Sequence, residues 1–286
     1  MATSGADLSV VVLSLRAPAT VVAAVASLLA QQPTPEVIVV NSGGGDARRR
    51  LQDAGLDAIV VEHAGRLMPG GARNLGIDAA HGRYVAFLAD DCLAEPGWVS
   101  ARLRAHAGGA VAVASALVCD RPGHPVALAA HLSLFVNRMP ATPAAHALRY
   151  GASYDCQLFE RYGRFREDLR AGEDTEFHQR LPADARPVWA PDVRTVHRSP
   201  TRLRAFLSDQ HARGRRTARV WRDINGQSRR SVAAAVIGRV RSIWARAPGA
   251  MGGEHTVSLM LAMPLIGVGA VFYALGAMRA PHAEDA

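Results

Sequence analysis

The sequence predicts an α/β fold, an open and mostly parallel sheet flanked by helices, followed by C-terminal helices and a hydrophobic tail. Three observations carry this. Short β-branched runs, apolar on both faces, recur between stretches with helical spacing, which is the pattern of parallel strands buried on both sides. Gly, Asn and Asp cluster where the strand-like runs end. The chain then changes character, becoming rich in Arg from residue 202 and uncharged from Thr256 to Met278.

Taken in order, Leu8–Leu15 reads as the first strand and Pro18 opens a helix over residues 20–31, where its missing N–H costs nothing. A second strand over 37–40 ends in Asn41-Ser42-Gly43-Gly44-Gly45-Asp46. A short helix over 47–54 leads to a third strand over 58–62, then a helix over 71–80 and a fourth strand over 84–88. Pro96 starts another helix and residues 110–118 form a fifth strand. Repeated strand–helix–strand units call for a Rossmann-like sheet with ligands at the strands' C-terminal ends. Beyond Asp120 the rhythm weakens: residues 122–143 read as irregular or partly helical, 175–181 as helix, and 188–190 as a short strand before Pro191. Residues 202–246 read as two amphipathic helices. The expected division is 1–200 for the α/β domain, 201–250 for an Arg-rich helical extension, and 251–286 for a membrane-associating helix and tail.

With 49% hydrophobic and 20% charged residues, the 286-residue chain is too apolar to be disordered and long enough for one generous core. Its net charge is +8, and every basic residue other than His is Arg, which favours phosphates or an anionic lipid surface as partners. No zinc finger, recognition helix or aromatic-rich basic sheet is present, so nucleic acid is not expected as a partner. Cys92, Cys119 and Cys156 are odd in number and widely spaced, as in a reducing compartment. The N-terminus lacks the basic region and cleavage site of a signal peptide. Residues 256–278 are long enough to cross or lie on a bilayer, and the arginines before them predict that the larger domain lies on the cytoplasmic face of the membrane.

Four constellations carry chemistry. Phe87-Leu88-Ala89-Asp90-Asp91 runs a buried strand out into two carboxylates, which suits a hard divalent cation; successive strand residues face opposite ways, so both acids reach one ion only if the chain turns there. A turn or a helix cap is the plainer use of such a pair. Gly172-Glu173-Asp174 sits at a helix start, where a carboxylate can serve as general base or merely complement the helix dipole. His197 can complete a metal shell or sit in the core. In Gly70-Gly71-Ala72-Arg73-Asn74, Arg73 can reach a diphosphate or join a structural ion pair.

In this order the segments resemble family-2 glycosyltransferases of the GT-A fold. The matching pieces include Glu36-Val37-Ile38-Val39-Val40-Asn41-Ser42-Gly43, Ala72-Arg73-Asn74-Leu75-Gly76, Gly82–Asp91, Pro96-Gly97-Trp98, Gly163-Arg164-Phe165 and Gly172-Glu173-Asp174, spread over roughly residues 8–200. The resemblance implies an inverting transfer from a nucleotide-diphospho-sugar to a hydroxyl acceptor, lipid-linked or glycan. It implies Mn2+ or Mg2+ held by Asp91 and His197, and Asp174 as catalytic base with Glu173 beside it. Asn41, Ser42, Arg73, Asn74, Asp90 and Asp91 are expected around the nucleotide. Two departures stand out: Ala89 replaces the first acid of the family's Asp-x-Asp, and Asn41-Ser42 replaces an acidic pair. They motivate a competing reading as a membrane-tethered binding module without catalysis.

Overall fold

The structure, a computed structural model, describes residues 7–225, 229–251 and 255–279; the tail acids Glu284 and Asp285 lie outside them. The chain forms two compact units. The first takes in residues up to Val118 together with Ala147–His197, and the second Cys119–His146 together with the chain from Arg198 onward.

The first unit is built on an eight-stranded sheet of β1 (Leu8–Leu15), β2 (Glu36–Ser42), β3 (Ile59–His63), β4 (Tyr84–Ala89), β5 (Cys92–Ala94), β6 (Ala112–Cys119), β7 (Ser153–Asp155) and β8 (Val188–His197). Their spatial order is β3-β2-β1-β4-β7-β6-β8-β5. Strands β3, β2, β1 and β4 run parallel, with Val12 aligned to Val39 on one side and Leu88 on the other. Period-2 alternation sorts their side chains into two cores. Leu8, Val10, Val12, Val37, Val39, Ala86 and Leu88 face one layer, and Val11, Ile38, Val40, Val85 and Phe87 the other. Each fully buried Val or Leu of this set contributes about 1.5–3 kcal/mol, so the central strands hold the scaffold rigid.

Helices α1 (Thr20–Leu29) and α4 (Trp98–Ala107) cover the first layer; α3 (Pro69–Asp78), α6 (Gln157–Tyr162) and α7 (Glu173–Arg180) cover the second. The short α2 (Ala47–Asp53) links β2 to β3, with Asp46 accepting from the Arg49 N–H as its cap. Close approach at the start of α3 requires Gly70, because a Cβ there would run into the Arg166 carbonyl.

The structure adds elements that periodicity does not reveal. Strands β5 and β7 have three residues each, and β7 runs antiparallel to both β4 and β6. The helix expected at Pro96 begins at Trp98, because Pro96-Gly97 forms a turn in which Gly97 adopts φ 85°. Strand β8 continues through Pro191 to His197. Proline is tolerated there because β5 pairs only with Thr195–His197, leaving no β5 hydrogen bond for the missing N–H to break.

The second unit is helical: α5 (Pro125–Phe135), α8 (Leu203–Asn225), α9 (Arg229–Met251) and α10 (Thr256–Met278). The stretch expected to be irregular or partly helical contains α5, whose apolar face joins Phe206, Ile243, Leu259 and Ile266 in one core.

Candidate active site at the C-terminal edge of the sheet

Parallel pairing brings the C-terminal ends of β1, β2 and β4 together, with Ser14 opposite Asn41 and Leu13 opposite Ala89. The chain turns at Asp90-Asp91 between β4 and β5. Asp90 bends back toward β1, its N–H donating to the Leu13 carbonyl at 3.2 Å. Burial, and then the charge of Asp91, raise the Asp90 carboxyl above the usual range. Asp91 turns the other way, with Oδ2 3.7 Å from His197 Nε2.

That pairing is a consequence of topology. Strands β5 and β8 are antiparallel with Cys92 opposite His197, so the residue before β5 meets the last residue of β8. The indole N–H of Trp98 donates to Thr195 Oγ1 at 2.8 Å and fixes β8 two residues before His197. A separation of 3.7 Å is too long for a hydrogen bond and fits two ligands of one cation, each about 2.0–2.2 Å from it. Among the described residues no cluster of three or more His, Cys, Asp or Glu can hold a metal. A cation here would therefore be completed by oxygen atoms from substrate and water, as magnesium-like ions commonly are.

Arg73, Glu173 and Asp174 form a second cluster. Glu173 and Asp174 occupy the first turn of α7 after Gly172, which adopts φ 88°, and the free N–H groups and dipole of that turn favour negative charge. Arg73 reaches them from α3, its Nη1 3.1 Å from Glu173 Oε1 and in contact with Asp174 Oδ1. Its guanidinium lies 5.1 Å from the Phe87 ring centroid and 5.2 Å from that of Phe165. All three charged residues are buried. Arg73 thus pairs with both acids and lies against the aromatic wall.

Asn41 and Asn74 are also turned inward. Asn41 is 0% exposed. Its Oδ1 accepts from the Ala17 N–H at 2.8 Å, and its amide donates to the Gly44 carbonyl at 3.1 Å and to Glu62 Oε2 at 2.6 Å. It therefore braces a strained turn in which Arg16 and Ala17 adopt φ 62° and 45°, a region costing L-residues about 1–3 kcal/mol. Gly45 completes the turn at φ 81°, where a Cβ would lie 2.6 Å from the Arg16 carbonyl oxygen. Gly45→Ala is expected to lower stability by about 1–3 kcal/mol, read as a shifted urea midpoint. Ser42 is buried and its carbonyl accepts from the Arg16 N–H at 2.9 Å. Asn74 donates to the Phe165 carbonyl and to Glu167 Oε1, and accepts from the Phe165 N–H, which ties α3 to the loop carrying the aromatic wall.

Glu62 escaped the sequence reading. Aligned with Asn41 across β2 and β3, its Oε1 also accepts from the Ala47 N–H at 2.8 Å. It supplies a carboxylate beside the position where Asn41 and Ser42 lack one, and a charged residue at a parallel strand's C-terminal end is the signal that marks it. His178, behind Arg73, is the second omission: its Nε2 lies 2.7 Å from the Tyr154 hydroxyl.

Burial holds His178 down at about 4, with Arg73 and Arg186 adding to the effect; burial likewise holds His106 at about 4. The unfolded value is about 6.5, so the stability of the neutral rings is complete above that pH. It is lost as pH falls through the window from 6.5 to 4, on the order of 3 kcal/mol for each ring. Urea midpoints at pH 7 and pH 4.5 check this, and His178→Gln should flatten the decline.

The profile of glycosyl transferase family 2 matches residues 9–164. The succinoglycan biosynthesis protein ExoO of Rhizobium meliloti (strain 1021) is 34% identical over 185 residues, covering 59% of this chain. The chain spans about half the length of that relative, 53%. Among solved structures, a Pyrobaculum calidifontis mannosyltransferase in complex with GDP-Man and Mn2+ superposes with a TM-score of 0.56 at 16% identity, over 93% of this chain and 86% of the other. Residues 1–349 of S. aureus TarS in complex with UDP give 0.52 at 14% identity, over 95% and 90%. Both share the fold.

Proposed function

The chain belongs to glycosyl transferase family 2, and we propose that it transfers a sugar from a nucleotide-diphospho-sugar to a hydroxyl acceptor in one inverting displacement. The observation that carries the metal-assisted form of this reading is the meeting of Asp91 and His197 across β5 and β8. These two residues would hold Mn2+ or Mg2+, which when bound neutralises charge on the departing diphosphate. Asp174 accepts the proton of the acceptor hydroxyl as its oxygen attacks the anomeric carbon and the bond to the diphosphate breaks. Arg73 holds Asp174 in place, acting as a positioning residue.

On the donor side, Asn41, Ser42 and Asn74 act by shaping backbone. The exposed surfaces that remain for the nucleoside are the Gly43–Gly45 turn, Glu62 and the edge of Asp90. The acceptor is proposed to be lipid-linked or a glycan at the cytoplasmic face of the membrane, in cell-envelope or exported polysaccharide synthesis. The apolar α10 and the likeness to a succinoglycan biosynthesis protein support this.

A panel of UDP- and GDP-sugars, assayed for nucleoside diphosphate release with and without Mn2+, tests the reading. One donor should turn over in a metal-dependent way; absence of turnover and of thermal stabilisation by every donor with Mn2+ would overturn it. Asp91→Asn and His197→Ala should each raise the Mn2+ concentration needed for half-maximal rate by about 10–100-fold, measured by metal titration at fixed donor. An unchanged titration curve in both removes them from the metal shell.

A further inference from the structure

The second unit presents an apolar stripe that is exposed among the described residues. Along α10, Val257, Met260, Leu261, Val268, Val271 and Met278 recur at helical spacing and are exposed, Val257 at 72% and Met260 at 69%. By length and composition α10 can cross a membrane: its 23 residues rise about 34 Å at 1.5 Å each, against a hydrocarbon core of about 30 Å.

The opposite face of α10 argues against a crossing. Gly269 and Gly276 on that face let it sit hard against α8. A Cβ on Gly276 would enter the His211 carbonyl, one on Gly269 would meet the Phe206 ring, and one on Gly214 of α8 would enter the Tyr273 carbonyl. The contacts advance in the same direction along both helices, so α8 follows the C-terminal half of α10. In that stretch α8 carries Asp209 and Arg213, paired at 2.6 Å, with Arg216 4.0 Å from the same carboxylate. A spanning α10 would draw this charged trio to hydrocarbon depth, which costs several kcal/mol. Separating the two helices would expose the glycine-packed seam.

We propose that α10 lies in the plane of an anionic bilayer surface, with its exposed stripe in the headgroup–acyl boundary and its glycine face held on α8. Charge complementarity selects the occupant. By sequence α8 has six arginines against two acids, and α9 has five arginines and no acid. On α9 the exposed Ile237 and Trp244 lie two turns apart with exposed Arg241 between them. An apolar face rimmed by arginine and tryptophan is the composition of an interfacial helix. The inference deepens the membrane-proximal placement proposed above, and its readouts are independent of sugar transfer.

The test uses the full chain and vesicles of phosphatidylglycerol or phosphatidylcholine. The protein should cosediment with the first at least tenfold more strongly than with the second, and less so as salt rises. Leu261→Glu with Val268→Glu should lose binding by tenfold or more while circular dichroism and melting stay unchanged. Thr256→Cys and Arg279→Cys, at the two ends of α10, should both react from outside with a membrane-impermeant maleimide, above the unsubstituted chain. Protection of one end only means a span and overturns the proposal. So does a dimer in ultracentrifugation that the Glu pair dissolves while vesicle binding is absent, since the stripe then serves a second copy.

Discussion

Asp174→Asn should lower kcat for sugar transfer by about 10²–10⁴, equivalent to roughly 3–5.5 kcal/mol of transition-state stabilisation, with the donor KM changed little. The substitution keeps the volume and leaves Glu173 on Arg73, whose contact with Oε1 at 3.1 Å does not involve Asp174. It removes the capacity to accept a proton, together with Asp174's share of the ion pair with Arg73. Glu173→Gln is the matched control, because Glu173 shares the α7 first turn and the same arginine. Transfer by Glu173→Gln should remain well above that of Asp174→Asn, with both variants melting within a few degrees of the parent. The reverse order would move the base to Glu173, and full activity in Asp174→Asn would remove the carboxylate pair from the chemistry.

The scaffold under this site was largely legible in the sequence, for a physical reason. Strands buried on both faces must be continuously apolar, so β1, β2 and β4 announced themselves, as did the turn residues at their ends. Strands of three residues have no period to detect, which is why β5 and β7 were invisible. The loss of β5 hid the register that carries His197 to Asp91 across the sheet edge. Side-chain direction was the other gap. The resemblance puts Asn41, Arg73 and Asn74 near the nucleotide, and it does not say which protein groups an amide or guanidinium there also satisfies. Here those partners are the chain's own Ala17, Gly44 and Glu62 for Asn41, the acids of α7 for Arg73, and Phe165 with Glu167 for Asn74. Glu62 went unnoticed because its importance comes from lying beside Asn41 in the sheet, a relation that a sequence does not print.

Arg73→Met should destabilise the fold more than any other single change at the site, by about 3–5 kcal/mol. Methionine can refill the space between Phe87 and Phe165, which the guanidinium now occupies at 5.1 and 5.2 Å, so the cost is chiefly electrostatic. Two buried carboxylates, Glu173 and Asp174, would face each other's charge with only the α7 N-terminus to offset it. For a chain of this size the melting temperature should fall on the order of 10 °C at pH 7. A second background separates this cause from lost packing. The repulsion needs both carboxylates, so the cost of Arg73→Met should shrink in a Glu173→Gln, Asp174→Asn background. A packing defect would leave it constant. The same variant should lose transfer activity, because the base has lost the cation that holds it in place. A melting temperature equal to the parent's would mean that the acids do not depend on Arg73, and the positioning role assigned to it would fall with that result.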